Sequence, residues 1–214
     1  MSKVTIEQSH AVMAILAQNI KWDKLDMKVI QESVIQNPIG AGAEFTLFLQ
    51  NGCCASIGDM KITVKPFSPV KYLGFGWKII VDEHDERNDC LIEVDFNKVD
   101  FVTCLKENET SITGEEKLKR LKESKQIRYG ATTFMGLWND YQTRKGNSVL
   151  ETLFRTKNIT HLDFFGDVLL RPDGGRLVLS LCRDCDGQWR WSYGWLDHDW
   201  IVTRLSVVSS QVSA

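Results

Sequence analysis

Two short groups of residues near the end of the chain have types and spacings that could do chemistry. Cys182 and Cys185 form a C-x-x-C pair, the spacing of zinc ligands and of redox thiols. Asp197, His198 and Asp199 place two carboxylates beside an imidazole, which suits a divalent metal or acid–base catalysis. A metal-dependent or thiol enzyme is therefore one hypothesis for the function.

Neither group is a complete site. A structural zinc site needs a second pair of ligands, and the other cysteines and histidines supply none at ligand spacing. In an extended segment Asp197 and Asp199 point to one side and His198 to the other, so the three cannot converge easily. We therefore expect no catalysis, no metal and no cofactor.

A third feature, the basic segment "KLKRLKESKQIR" at residues 117–128, suggests nucleic-acid binding together with the tryptophans as stacking platforms. Glutamates accompany these cations, and such a mixed-charge helix is more often a solvated face. The formal net charge is −2, which gives no general attraction to nucleic acid. Nucleic-acid binding remains an alternative that the charge pattern disfavours.

The composition indicates an ordinary protein of one or two domains, because 43% of its 214 residues are hydrophobic and 25% are charged. The first residues lack the basic and apolar regions of a secretory leader, and no apolar run approaches the roughly 18 residues of a membrane span. Six cysteines in such a chain favour reduced thiols. We expect a cytoplasmic protein with no membrane association.

The elements that must position these residues fall into three segments. Residues 1–58 predict helices, with a capping box at Thr5 and Gln8 and ends at Asn37-Pro38 and Asn51-Gly52. Residues 59–110 are β-rich: "MKITVKP", "KYLGFGWKIIVD" and "CLIEVDF" predict strands, and the charged residues 82–89 predict a solvated loop.

Residues 111–214 predict three helices followed by a Trp-rich β region. Thr113 with Glu116 and Ser148 with Glu151 mark two helix starts, and "ATTFMGLWNDY" carries the apolar face of a helix between them. The fold class is therefore α+β: a helical N-terminal region, then a mixed α/β part that ends in a Trp-rich antiparallel β region.

The segment "RLVLSLCRDCDGQWRWSYGW" predicts a β-hairpin whose register can be counted. The leucines share one face with Trp189, Trp191, Tyr193 and Trp195 only if paired residue numbers add up to an even number. A three-residue loop, residues 185–187, with Gly187 in the left-handed conformation gives that register. We expect Trp189, Trp191 and Trp195 to face one core with Leu179 and Leu181.

The opposite face of this hairpin carries small, polar and reactive side chains: Ser180, Cys182, Arg190, Ser192 and Gly194. They have nothing apolar to bury. The face therefore predicts either a display surface for recognition or the wet side of an antiparallel sheet.

The composition of the tail favours the display surface. Between Arg171 and Ala214 there is no Lys, Glu, Met or Asn, although the preceding residues use Lys and Glu freely. Such a bias is expected if many codons derive from asparagine codons whose adenines have been replaced.

Four segments, "NIKWDKLDMKVIQE", "ITGEEKLKRLKESKQIR", "FFGDVLLRPDGGRLVLSL" and "DGQWRWSYGWLDHDW", carry a resemblance over most of the chain. The chain resembles bacterial proteins whose tails interleave fixed Trp, Leu, Asp and Gly residues with variable ones. Such tails are similar to the variable regions that diversity-generating retroelements diversify, usually on a C-type-lectin-like fold related to the formylglycine-generating enzymes. Where relatives usually have a Pro-Ser-Ala stretch, this chain has "RLSVVSSQ".

The resemblance implies a non-catalytic protein that binds a ligand, a protein or a small molecule, through a diversified surface on a C-type-lectin-like fold. The implied ligand-binding positions are Ser180, Cys182, Arg183, Cys185, Arg190, Ser192, Tyr193, Gly194, His198, Ile201, Val202, Thr203 and Arg204.

Overall fold

The computed structural model describes residues 5–50 and 60–210 and has the α+β class expected from the sequence. Contacts between Cα atoms divide the chain into two compact units, Met1–Ser56 and Ile57–Ala214. None of the helices in the described ranges is long and apolar enough to cross a membrane.

The N-terminal unit is helical. Its elements are α1 (Ile6–Asn19), α2 (Met27–Ile30), a π-helical turn (Gln31–Ile35) and α3 (Pro38–Gln50). The capping box is confirmed, since the Thr5 hydroxyl accepts the N–H of Gln8 and the Gln8 side chain accepts the N–H of Thr5. The π-helical turn ends before Pro38, as its sequence predicts; Asn51-Gly52 lies outside the described residues.

The C-terminal unit is built around a six-stranded sheet. The strands run in the order β4 (Val99–Val102), β10 (Leu205–Ser209), β6 (His161–Leu170), β7 (Arg176–Arg183) and β8 (Trp189–Trp195), with β2 (Lys78–Ile79) beside the end of β6. Strands β10 and β6 are parallel, and the other pairs are antiparallel. Two small ladders join β1 (Lys61–Thr63) to β3 (Glu93–Asp95) and β5 (Ser111–Thr113) to β9 (Asp199–Ile201).

Helices cover both faces of this sheet. They are α4 (Pro69–Leu73), α5 (Gly114–Glu123), α6 (Ala131–Arg144) and α7 (Val149–Lys157). The two expected N-caps are confirmed: the hydroxyls of Thr113 and Ser148 accept the N–H groups of Glu116 and Glu151. These short polar residues satisfy backbone donors that the first helical turn leaves unpaired.

Two buried clusters pack against the sheet. The larger one joins α6 and α7 to one face through residues such as Phe134, Leu153 and Leu179. The smaller one, on the other side, includes Phe165 and Trp200 and is completed by Leu118, Leu121, Val168, Val178, Leu196 and Val208. Alternation along β6 explains the division, because the neighbouring residues Phe164 and Phe165 belong to different clusters.

The segment "KYLGFGWKIIVD" departs from the predicted strand. Its first residues complete helix α4, which begins at Pro69, and only Lys78 and Ile79 pair with β6. Proline has no N–H to lose at the first helical position and its φ angle suits a helix. The helix start therefore overrides the aromatic and β-branched composition that follows.

The charged loop at residues 82–89 is also more than a solvated connection. Asp85 and Asn88 are buried. An Asp85 oxygen accepts the N–H of Arg128 at 3.0 Å, and the Asn88 amide donates to the Arg128 carbonyl and accepts the N–H of Gly130. The loop thus supplies partners to the backbone that leads into α6, so the expectation of a solvated loop is wrong for Asp85 and Asn88, whereas Asp82, Glu86, Arg87 and Asp89 are exposed.

Candidate functional site

The hairpin of β7 and β8 has the predicted register. Leu181 pairs with Trp191 and Leu179 pairs with Tyr193. The N–H of Asp184 donates to the carbonyl of Gln188 at 2.9 Å, which closes a three-residue loop at residues 185–187. Gly187 has φ of 78°, the left-handed value that glycine adopts without a steric penalty. The register prediction is confirmed.

The aromatic face of β8 is only partly covered. Trp189 is 2% exposed, whereas Trp191 and Tyr193 are each 37% exposed. The Trp191 ring lies 5.0 Å from the Tyr72 ring, and the Tyr193 ring lies 5.9 Å from that of Trp77. The predicted side of the sheet for Trp191 is therefore correct, but the prediction that its side chain is buried in the core is wrong. The reason is that β8 is the last strand of the sheet.

The polar face of the hairpin is covered where the sequence predicted exposure. Ser180 is 1% exposed and Gly194 is buried. A Cβ atom on Gly194 would lie 2.5 Å from Cη2 of Trp200 and 2.6 Å from Nη2 of Arg204. The chain after β8 returns and lays these two side chains over Gly194. Ser180 and Gly194 therefore belong to the buried frame, by which we mean the buried residues Val178, Ser180, Gly194 and Trp200 beneath the exposed positions, and not to an exposed surface.

A buried polar cluster lies beneath this covered region and centres on Asp163, which is fully buried. One oxygen, Oδ1, accepts hydrogen bonds from the Ser180 hydroxyl at 2.5 Å and from Arg204 Nη2 at 2.8 Å. It also lies 3.2 Å from Nε2 of His161. Residues on β6, β7 and the segment before β10 therefore meet at one carboxylate oxygen.

Asp163 is ionised despite its burial. Burial opposes the charge, but the hydrogen bond to His161 and the positive charges of His161, Arg204 and Lys117 outweigh burial, so the pKa of Asp163 lies below its usual range. A buried carboxylate needs such partners, because an isolated buried charge is very costly.

Lys117 supplies the second buried cation of the cluster. Its Nζ donates to the Arg204 carbonyl at 2.6 Å and lies 5.4 and 5.1 Å from the centres of the Phe165 and Trp200 rings. Burial lowers the pKa of Lys117 to about 8. Although Lys117 belongs to the basic segment that suggested nucleic-acid binding, it is fully buried and unavailable to a phosphate.

Arg204 connects the cluster to the surface. The carbon of its guanidinium lies 3.7 Å from the centre of the Trp200 ring, and Nη2 contacts both Asp163 and Ser180. Its side chain keeps 20% of its exposure. The sequence predicted Arg204 as a ligand-facing residue, and in the structure its side chain lies between the buried cluster and solvent.

Cys182 lies at the edge of the same face, opposite His161 in the ladder. Burial, followed by the charge of Asp184, raises the pKa of the Cys182 thiol. Its Sγ donates to the Arg190 carbonyl at 3.6 Å. A thiol with a raised pKa is a poor nucleophile at neutral pH, which disfavours the thiol-enzyme hypothesis.

The acidic and histidine residues after β8 do not form a metal site. Within residues 5–50 and 60–210, no three His, Cys, Asp or Glu side chains are placed to hold a metal ion. His198 Nε2 lies 3.8 Å from Asp197, and both side chains are largely exposed. The side chain of Asp199 is exposed on β9.

The other predicted positions are distributed over several places. Arg190, on the polar face, forms ion pairs with Asp184 and Asp186 of its own hairpin. Arg183 and Tyr193 lie on the opposite, aromatic face, where the Arg183 guanidinium is 3.8 Å from the Phe154 ring centre. The exposed positions outside the aromatic face are Cys185 in the loop, Ser192 on β8, His198 beside Trp195, and Ile201, Val202 and Thr203 at the following turn.

Comparison with known proteins gives no match to this chain, whether by family model, by curated sequence or by solved structure. The functional proposal therefore depends on the residues and on the geometry of the hairpin.

Proposed function

We propose that this protein binds a ligand, without catalysis, through a diversified surface made of exposed side chains on β8, at the end of β9 and in the turn that follows it. The surface comprises Arg190, Ser192, Ile201, Val202 and Thr203, with Cys182 and Arg204 at its border. Tyr193, Arg183, Cys185 and His198, which the resemblance also implies, lie outside this surface.

The observation that carries the proposal is the separation of frame and exposed positions within one short stretch. Trp200 is 1% exposed and packs against Phe165, whereas Ile201 and Val202, next along the chain, are 50% and 63% exposed. Exposed apolar side chains on a rigid base favour binding, because a partner can bury them at no cost in folding. Preorganisation of the base limits the entropy lost on binding.

The electrostatic structure also supports a fixed base. Asp163, Ser180 and Arg204 bond to one another beneath the surface through Asp163 Oδ1, the Ser180 hydroxyl and Arg204 Nη2, whereas Asp163 Oδ2 and Arg204 Nε have no partner among the described residues. Changes above these residues leave the buried charges paired. Exchange of the exposed side chains is therefore expected to alter recognition and to preserve the fold.

A pair of libraries tests the proposal. The first randomises Arg190, Ser192, Ile201, Val202 and Thr203, and the matched control library randomises the frame positions Val178, Ser180, Gly194 and Trp200. Both are displayed on yeast and selected against purified lysozyme as a model protein ligand. We expect most members of the first library to remain folded, within about 1 kcal/mol of the parent, and to yield binders.

The control library should lose folded members at most positions. The proposal is wrong if the two libraries unfold equally often, or if the first yields no lysozyme binder.

Natural diversification has its own test in the flanking DNA: we expect a reverse transcriptase gene and a near-copy of the codons for residues 171–214 that differs at adenines. A flanking region without both would contradict that part of the proposal.

A further inference from the structure

Strand β8 forms one edge of the six-stranded sheet, and its register fixes which backbone groups point outward. Hydrogen bonds from Asp184 N–H to Gln188 and from Leu196 N–H to Arg176 flank the ladder. Hydrogen-bonded pairs alternate with non-bonded pairs in antiparallel strands. Even-numbered residues of β8 therefore bond to β7, and the backbone groups of Trp189, Trp191, Tyr193 and Trp195 face outward.

At each end of this outward row one backbone group has a partner, whereas the carbonyl of Trp189 and the N–H of Trp195 have none among the described residues. The N–H of Trp189 donates to the Tyr141 hydroxyl at 3.2 Å. The carbonyl of Trp195 accepts the N–H of His198 at 3.3 Å and Nε1 of Trp200 at 3.0 Å. Between them, the outward N–H and carbonyl groups of Trp191 and Tyr193 have no partner among the described residues.

This free stretch lacks the features that usually protect a sheet edge. Residues 191–193 are all exposed, and β8 contains no proline, no lysine and no bulge. Natural edge strands carry such features because free backbone groups bind other strands. The four free groups of Trp191 and Tyr193, whose aromatic rings are half-exposed, are therefore suited to receive a further strand.

We propose that the strand received is β8 of a second copy of this chain, antiparallel, with the two-fold axis through Ser192. In that register Trp191 of one copy forms a hydrogen-bonded pair with the partner's Tyr193, and the symmetric pair forms on the other side of the axis. All four free groups of each copy are then satisfied. No other antiparallel register uses all of them in both copies.

Side chains on both faces are compatible with this pairing. On one face, Trp191 lies beside the partner's Tyr193, and cross-strand aromatic pairs stabilise sheets. On the other face, Arg190 lies opposite the partner's Gly194, where it meets the Trp200 and Arg204 side chains that cover that glycine, and Ser192 lies opposite its own copy.

The two Arg190 side chains do not meet in this register. Arg190 is paired with Asp184 and Asp186 of its own hairpin. The two Arg190 residues are separated by roughly 14 Å, from four residues at about 3.4 Å each. The two Arg190 charges are therefore well separated, and each is compensated within its own hairpin.

The interface is small, which sets the expected affinity. Trp191 and Tyr193 are already about two thirds buried in the monomer, so the pairing buries far less than the roughly 1,200 Å² of a stable complex. We expect a reversible dimer with a dissociation constant of about 10 µM or weaker. This inference does not rest on the proposed ligand surface, and because the pairing places Ser192 at the axis, the dimer and a bound ligand compete for that residue.

A cysteine at the axis gives a direct test. Facing residues of a non-hydrogen-bonded pair have Cα atoms about 4.5 Å apart, within the range of a disulfide. In a full-length background with Cys182→Ser and Cys185→Ser, we expect Ser192→Cys to form a covalent dimer under mild oxidation. The matched control, Arg190→Cys in the same background, places its thiols too far apart and should cross-link at least tenfold less.

A proline tests the backbone pairing. Tyr193→Pro removes an outward N–H that makes no bond to β7, and prolines are tolerated at such edge positions. Sedimentation of the full chain should show a concentration-dependent dimer for the parent and for Tyr193→Ala, which keeps the N–H, although Tyr193→Ala should dimerise more weakly. Tyr193→Pro should be monomeric with an unchanged circular dichroism spectrum.

The inference is overturned if Ser192→Cys cross-links no more than Arg190→Cys, or if the parent stays monomeric at several hundred micromolar. Association that persists in Tyr193→Pro would place the contact elsewhere and would also overturn it. If Tyr193→Pro does not fold, the comparison of the two cysteine variants decides.

Discussion

Replacement of Asp163 by asparagine should strongly destabilise the C-terminal unit. The substitution keeps the volume and an acceptor oxygen for the Ser180 hydroxyl, and it removes the charge that compensates Arg204 and Lys117. At 2.8 Å and an effective dielectric constant of about 20, the attraction between Asp163 and Arg204 is about 6 kcal/mol. Desolvation offsets part of this. Loss of one partner of a buried pair typically costs 3 to 5 kcal/mol, so we expect a loss of about 3 to 5 kcal/mol.

The assay is urea unfolding at pH 7, followed by tryptophan fluorescence. Asp173→Asn serves as the matched control: Asp173 also pairs with an arginine, Arg171, but its side chain is 55% exposed. Surface ion pairs contribute little, and the control should stay within about 0.5 kcal/mol of the parent. If Asp163→Asn costs less than about 1 kcal/mol, the charge balance described for the cluster is wrong.

A double-mutant cycle assigns the loss to its partner. In the Asp163→Asn variant, Arg204→Gln removes an uncompensated buried cation. The second substitution should therefore lower the free energy of unfolding less in that variant than in the parent. Equal effects of Arg204→Gln in both backgrounds would show that the two residues act independently, contrary to the contact at 2.8 Å.

Three further substitutions have defined outcomes. The pKa of Lys117 in the folded protein, about 8, lies below its ordinary value of 10.5, so the unfolded state binds more protons than the folded state between these two pH values. The free energy of unfolding of the parent should therefore rise, relative to that of Lys117→Met, by up to about 3 kcal/mol from pH 8 to 10.5. Urea unfolding at several pH values measures this difference. Gly194→Ala places a Cβ 2.5 Å from the Trp200 ring and should cost about 1 to 3 kcal/mol, with a shift in tryptophan emission; an unchanged midpoint would contradict the packing of Trp200. Gly187→Ala meets no atom closer than 3.4 Å, so only its φ of 78° is strained, and thermal melts should show a loss of about 1 kcal/mol.

Local patterns were sufficient to predict the hairpin and the helix starts. The register of β7 and β8 follows from the two-residue alternation of Leu179 and Leu181 and from the conformation that Gly187 permits. The caps at Thr113 and Ser148 depend on residues only three positions apart. Such features are determined by neighbours in the sequence, so they can be recognised there.

Burial on the two hairpin faces could not be predicted in the same way. Trp191 is half-exposed because β8 lies at the sheet edge, and Ser180 is buried because Trp200 and Arg204 return over it. Both facts depend on the order of strands in space. The cluster at Asp163 likewise joins residues from four separate elements, and the sequence indicated it only through two acidic residues, Asp163 and Asp167, in a largely apolar strand.

The position of β10 has a consequence for synthesis of the protein. This strand is made after every other described strand, yet it lies between β4 and β6 and is the one partner that β4 has in the sheet. When residues 1–204 have been synthesised, β4 and β6 are present but β10, which lies between them, is not. Pairings between strands so distant in sequence form slowly. A premature stop or frameshift anywhere in the hairpin would remove β10, so β4 would lose its partner and β6 would lose its pairing at Leu162 and Asp163. Chains with a truncated or frameshifted tail would then fail to complete the sheet, whereas chains with substitutions at the exposed positions would still fold.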